Sequence, residues 1–166
     1  EIPMVLKKPI SNVFNLDLKS SYASRIVEAY PELYDLYDYM YQQRKLSNEY
    51  HKHVLTNSIG CFQSVYCPDV LIPRHSRPYQ FAKLAKVAVN GTRAKIEEYI
   101  AKLKKAGFVP LLTNTDGIWY YSETGLPYHD SNEGVELGNW ENDHKYCRFL
   151  MASVGAYQYI EDGVCY

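Results

Sequence analysis

The chain has 166 residues, 46% hydrophobic and 22% charged, with a formal net charge of −1. That balance supports one globular domain with a real core and excludes a disordered chain. It also excludes a strongly basic nucleic-acid binder, so any such contact has to use a local patch. Tyr is used 17 times against five Phe, which suits half-buried rings with wet hydroxyls at a cleft or interface, or simply a Tyr-rich core and surface. The four cysteines (Cys61, Cys67, Cys147 and Cys165) show no C-x-x-C spacing. Reduced thiols in a cytosol fit better than a zinc site or a disulfide framework. No signal peptide and no apolar run near ~18 residues is present, so no membrane span is expected. The chain opens at Glu1 and stops at Tyr166 without punctuation, which leads us to expect a piece of a longer polypeptide.

Residues 1–12, with Pro3 and Pro9, predict an opening loop or edge strand. Val13 to Leu18 alternates, with Phe14, Leu16 and Leu18 on one side, so a short half-buried strand is expected with Asp17 facing away near its end. Ser20 and Ser21 are good helix N-caps. A helix from about Tyr22 to Tyr30 follows, stopped by Pro31. A strand that ends in Asp and turns into a capped helix is a place where backbone N–H groups can meet phosphates, although a strand-end aspartate is as ordinary a role. Leu33, Leu36, Tyr37, Met40 and Tyr41, then Leu46, Tyr50 and Val54, fall at helical spacing over residues 32–58. Ser47-Asn48 interrupts that run, and Gly60 is expected to end it. The basic cluster Arg44, Lys45, His51, Lys52 and His53 has the bland reading of a solvated face.

Residues 61–76 predict a loop and a short hairpin. Pro78 suits the first turn of the longest periodic segment, Tyr79 to Lys105, which Gly107 caps. Gly91 inside it suggests close packing against a sheet. Next, Leu112-Thr113-Asn114-Thr115-Asp116-Gly117-Ile118-Trp119-Tyr120 sets Asp-Gly between two β-prone runs, the pattern of a hairpin with a tight primed turn in which Gly supplies positive φ. Asp116 is then held at the tip by paired strands, either for chemistry or merely for the turn. Ser122 to Gly138 is polar, and Asn139 to Asp143 is a connector. Cys147 to Met151 and Ala156 to Ile160 are β-prone, with a turn at Glu161-Asp162-Gly163. The order predicts an α+β fold, an antiparallel sheet with helices packed on one face.

Three stretches combine into a resemblance. Asp17-Leu18-Lys19-Ser20-Ser21-Tyr22-Ala23-Ser24 resembles the first signature of family B DNA polymerases, D-x-x-S-L-Y-P-S. Lys52 to Gly60 resembles the second, K-x-x-x-N-S-x-Y-G, in spacing. Asn114-Thr115-Asp116-Gly117 resembles the third, D-T-D-S. They stand in the family's order. Between the second and third, Leu84-Ala85 through Gly91-Thr92-Arg93 is similar to the family's long palm helix. Leu137-Gly138-Asn139-Trp140-Glu141 resembles the L-G-x-W-x-x-E stretch of its protein-primed, phage or plasmid branch. The resemblance covers about residues 13 to 162.

It implies a palm in two parts (residues 1–31 and 63–166) around a short helical fingers element at 32–62. The implied enzyme is a DNA-directed DNA polymerase, working in the cytoplasm of a bacterial host on primer-template DNA and deoxynucleoside triphosphates. Two Mg²⁺ ions, which Mn²⁺ can replace, would be held by Asp17, Asp116 and the Leu18 carbonyl; such a pair stabilises the attacking and leaving oxygens in phosphoryl transfer. The nucleotide contacts implied are Ser21, Tyr22 under the sugar, Arg44 and Lys52 on the triphosphate, and Thr56 and Asn57 near the incoming base pair. Asn114, Thr115 and Tyr157 are secondary.

The departures from the family pattern are specific. Asn114 replaces the first aspartate of D-T-D, Ala23 the proline, and Ile59 the tyrosine before Gly60. Thr56 stands at the family's Asn, or Asn57 does with the lysine spacing shifted by one. No lysine occupies 153–156 ahead of Tyr157, where the family has K-x-Y. These departures favour an alternative, a catalytically degenerate palm that binds nucleotide or nucleic acid. A cyclase-like nucleotidyl transferase is a third reading, against which Tyr22 and the Lys52 stretch argue.

Overall fold

Alternation along Ile10–Leu18 sends Phe14, Leu16 and Leu18 to one face and Val13, Asn15 and Asp17 to the other. In a computed structural model, which describes residues 8–46, 49–63, 78–153 and 155–166, this segment is β1, a central strand of a six-stranded antiparallel sheet ordered β2-β3-β1-β4-β5-β6. The other strands are β2 (Val109–Thr113), β3 (Gly117–Tyr121), β4 (Trp140–Ser153), β5 (Ala156–Glu161) and β6 (Val164–Cys165). The fold is α+β, as the order of sequence patterns predicts. The expected half-buried strand is, however, buried on both faces from Val13 to Leu16, because β3 and β4 flank it and each face has its own core.

Contacts divide the chain into two compact units, Glu1–Lys19 with Lys95–Tyr166, and Ser20–Ala94. In the sheet unit, Phe14, Leu16, Leu18, Ile118, Tyr120 and Trp140 pack with Ile96, Tyr99 and Leu103. These three come from the last part of helix α4 (Pro78–Lys105) at spacings of three and four, one stripe of the helix. The predicted helix-on-sheet layer is therefore present. Tyr99 stacks on Trp140 with ring centroids 4.1 Å apart. Gly107, at φ +88°, ends the helix in the left-handed region, as expected of a C-terminal glycine. The other face gathers Val13, Leu111, Leu112, Trp119, Cys147, Phe149 and Met151. Burial, then the charges of Glu161 and Asp162, push the Cys147 thiol up to about 12.

Bulges tune the pairing of β1 with β4. Leu16 pairs with Asn142 and Asn15 with His144, so β4 carries one extra residue, Asp143. Between Asn15 and Val13 the strand β4 again has an extra residue, with Tyr146 at φ +54°. Between Val13 and Ile10 the extra residue is on β1, with Asn12 at φ +58°. Asn reaches this left-handed conformation at less cost than most residues.

The second unit holds α1 (Ser21–Ala29), a 3₁₀ turn (Pro31–Leu33), α2 (Tyr34–Lys45), α3 (Glu49–Gln63) and the first part of α4. Pro31 does stop α1. Ser20 is at the N-cap with φ +46°, but its side chain makes no cap bond; its hydroxyl accepts from Arg44 Nη1 at 3.0 Å instead.

Four expectations need correction. Gly60 does not end the helical run, since α3 continues to Gln63; a glycine inside a helix costs only about 1 kcal/mol, which packing elsewhere offsets. Gly91 lies against α1, not a sheet: an added Cβ would sit 3.1 Å from Arg25 Cγ. The Asp-Gly turn is not a primed one, because Gly117 is not at positive φ and already belongs to β3, with Asn114 N–H donating to its carbonyl at 2.9 Å. Finally, the connector expected at Asn139–Asp143 is strand from Trp140 onward. Polar Asn142 is buried there because Tyr120 and the Tyr128 carbonyl satisfy it. Expectations for residues 1–7, 47–48 and 64–77 lie outside the described residues.

Tyr120 is the polar centre of that network. Its hydroxyl donates to Asn142 Oδ1 at 2.6 Å and accepts from Tyr128 N–H at 2.8 Å. Burial raises its pKa, so it stays a donor. Tyr120→Phe strands two buried groups and is expected to cost about 1–3 kcal/mol, read as a lower urea midpoint at constant slope. An unchanged midpoint contradicts the network.

Candidate functional site

Asp17 lies at the end of β1 opposite Gly117 on β3 and opposite Glu141 on β4. The N–H of Leu18 donates to the Asp116 carbonyl at 2.8 Å. Asp17, 99 residues from Asp116 in sequence, is thus paired with the residue that follows Asp116. Asp116 is half-buried in the short β2–β3 connection. Leu18 buries its side chain completely, which leaves only its backbone for chemistry. Gly117 is close to its neighbour: a Cβ there would come 3.3 Å from Asn15 Nδ2, a tight contact.

Directly opposite residues in an antiparallel pair share a face, so Asp17 and Glu141 stand side by side. The bulge at Asp143 brings two successive residues to that face. Asp143 reaches Lys19, and His144 stacks on Trp119 with centroids 5.6 Å apart and planes 4° from parallel. His144 Nδ1 is 2.7 Å from Glu161 Oε2. Lys19, two residues after Asp17, places its Nζ 2.8 Å from Glu141, 3.2 Å from Asp17 and 3.4 Å from Asp143. Burial works against the ammonium, but the hydrogen bond to Glu141 and the charges of Asp17 and Asp143 outweigh it and hold the Lys19 pKa well above its usual value. It is a fixed positive charge.

The site residues expected from sequence fall into two sets. In the sheet unit, the Asp116 backbone is bonded to Leu18, the residue after Asp17. Asn114 and Thr115 are exposed beside Asp116, and Asn114 Nδ2 donates to the Tyr157 hydroxyl at 3.2 Å. That contact joins two expected secondary residues across 43 positions. In the helical unit, Ser21 is buried, with its carbonyl accepting from the Ser24 hydroxyl at 2.7 Å, and Tyr22 is half-buried. Arg44 is held by Ser20. Lys52 and Thr56 are exposed, one turn apart on α3, and the Thr56 hydroxyl donates to the Lys52 carbonyl at 2.9 Å. Asn57 is exposed next to them.

Lys19, Glu141, Asp143 and His144 were not expected. The signal for the first was the strand period: Lys19 is two residues from Asp17 and therefore on its face. For Glu141 and Asp143 it is the alternation Trp140, Glu141, Asn142, Asp143 within the stretch expected to be a connector. The bulge that turns His144 has no sequence signal of its own.

The donors near Asp17 are hard carboxylate oxygens, which suit Mg²⁺ rather than a thiolate- or imidazole-seeking metal. Among the described residues no three Asp, Glu, His or Cys side chains form a group able to hold a metal ion. No helix among the described residues is long and apolar enough to cross a membrane. Searched against protein-family models and against curated proteins, the chain matches none.

Glu161 holds His144 in place from β5. Burial raises its pKa, but the Lys145 N–H, which donates to Oε1 at 2.8 Å, and His144 outweigh that and lower it. A lowered carboxylate pKa adds stability above the unfolded value, about 4.3 for Glu, and that stability is lost as the pH falls through the folded value. Glu161→Gln should therefore unfold at a lower temperature at neutral pH and lose less stability than the wild type on acidification. Parallel melting curves from neutral pH to pH 3 contradict this.

Proposed function

We propose that the chain is the palm, with a rudimentary fingers element, of a family B-like DNA polymerase. It would add deoxynucleotides to a primer 3′-OH under template direction, with pyrophosphate leaving. The observation that carries this reading is the register that sets Asp17, on a central strand, beside the hairpin turn bearing Asp116. A carboxylate on a central strand and a second on the turn beside it would suit two-metal phosphoryl transfer, in which misplacement of the reacting groups is costly.

Asp17, Asp116 and the Leu18 carbonyl would hold Mg²⁺, which supplies charge neutralisation at the transferring phosphoryl group. The remaining roles belong to the chain's own side chains. Lys52, exposed on α3, would meet the triphosphate as a mobile point charge, and Arg44 would offer a planar fork to phosphate oxygens. Tyr22 would carry the sugar, and Ser21, Thr56 and Asn57 would line the nucleotide's approach. Asn114 and Tyr157, already bonded to each other, would flank Asp116 as a neutral pair.

That pair also favours a second reading. Asn114 is a neutral ligand bound to Tyr157 and not a second carboxylate, so the chain could bind nucleotide without extending a primer. Primer extension separates the two. Asp116→Asn and Asp17→Asn should each abolish incorporation, a loss of several kcal/mol of transition-state stabilisation, while Asn114→Asp should leave incorporation equal or raise it. Equal extension by wild type and Asp116→Asn overturns the metal assignment. Mg²⁺-dependent nucleotide binding with no extension by any variant selects the binding module.

A further inference from the structure

Lys19 sits where a cation would sit. Three carboxylate oxygens, from Asp17 on β1 and from Glu141 and Asp143 on β4, lie within 3.4 Å of its Nζ. The strands fix this arrangement: Asp17 opposes Glu141 in register, and the bulge at Asp143 supplies the third oxygen from the same edge. The ammonium offsets one of the three carboxylate charges gathered around it. Without Lys19 that offset is lost. Nor do these acids gather closely enough to form a metal cage of their own; each leans on the nitrogen between them.

We infer that Lys19 is a positioning residue that acts as a built-in cation. It holds Asp17 toward β4 and occupies the place that a divalent ion would otherwise take among Asp17, Glu141 and Asp143. The free protein is thereby kept from loading a resident ion at these acids. This inference rests on the proposed role of Asp17, because only a carboxylate needed for substrate-borne Mg²⁺ has to be protected from a misplaced one. The physical argument is charge and size. Mg²⁺ oxygens sit about 2.1 Å from the ion, shorter than the distances around Nζ. Once the ammonium is gone, the three acids repel one another, and drawing in around a divalent ion relieves that repulsion.

The test is Mn²⁺ binding to the full 166-residue chain, followed by calorimetry and by the loss of the free-ion electron paramagnetic signal, with no nucleotide present. Lys19→Met should gain one Mn²⁺ site at least tenfold tighter than any in the wild type. Lys19→Arg should bind as the wild type does. The double variant Lys19→Met/Glu141→Gln, with one carboxylate charge removed as well, should lose the new site. A purely structural lysine predicts no change in ion stoichiometry, so wild-type binding by folded Lys19→Met overturns the inference. Should Lys19→Met fail to fold, Lys19→Gln takes its place with the same two outcomes. Primer extension by the wild type separately tests the polymerase reading, and either result can fail without the other.

Discussion

Hydrogen bonding of β1 along both edges is the constraint on which the sheet unit depends. With β3 on one side and β4 on the other, β1 cannot shift by a residue without exchanging its two faces. Phe14, Leu16 and Leu18 would leave the core that α4 covers, and Asp17 would enter it. The cost of burying an unpaired carboxylate, added to that of exposing three large side chains, locks the register. Everything at the candidate site inherits this lock. Asp17 faces Glu141, Leu18 N–H reaches the Asp116 carbonyl, and Lys19 returns to Asp17's side.

The sheet's two faces divide the work. One is filled by Tyr99, Trp140, Tyr120 and the aliphatic residues between them, and it fixes α4 to the strands. The other changes character along its length. Toward one end it is apolar and aromatic, with Phe149, Tyr157 and Tyr159 around Trp119. Toward the end bearing Asp17 it becomes charged. The bulge at Asp143 marks the change, because it aims two consecutive residues at one face where plain alternation would aim one.

The parts legible in the sequence were those in which one residue type serves one physical purpose. Phe14, Leu16 and Leu18 gave β1, the long stripe ending at Leu103 gave α4, and Gly107 gave its stop. Asp116 at a strand connection was legible for the same reason. The parts that were not legible depended on partners far along the chain. Asn142 reads as a loop residue until Tyr120 and the Tyr128 carbonyl are known to meet it. Gly117 reads as a turn glycine, yet it belongs to β3 and lies against the Asn15 side chain. Lys19 is one residue of a signature in the sequence, and only the pairing of β1 with β4 surrounds it with acids. Bulges such as that at Asp143 are consequences of register, which a local pattern does not encode.

The central claim is that Asp17 and Asp116 together hold the ions that a nucleotide brings. The most direct measurement is anomalous scattering from crystals of the chain grown with Mn²⁺ and a deoxynucleoside triphosphate. The account predicts Mn²⁺ peaks ligated by both carboxylates and by triphosphate oxygens, with Lys19 still bound to Glu141. Well-ordered nucleotide with Mn²⁺ touching neither aspartate, or touching Asp17 alone while Asp116 points elsewhere, would contradict it.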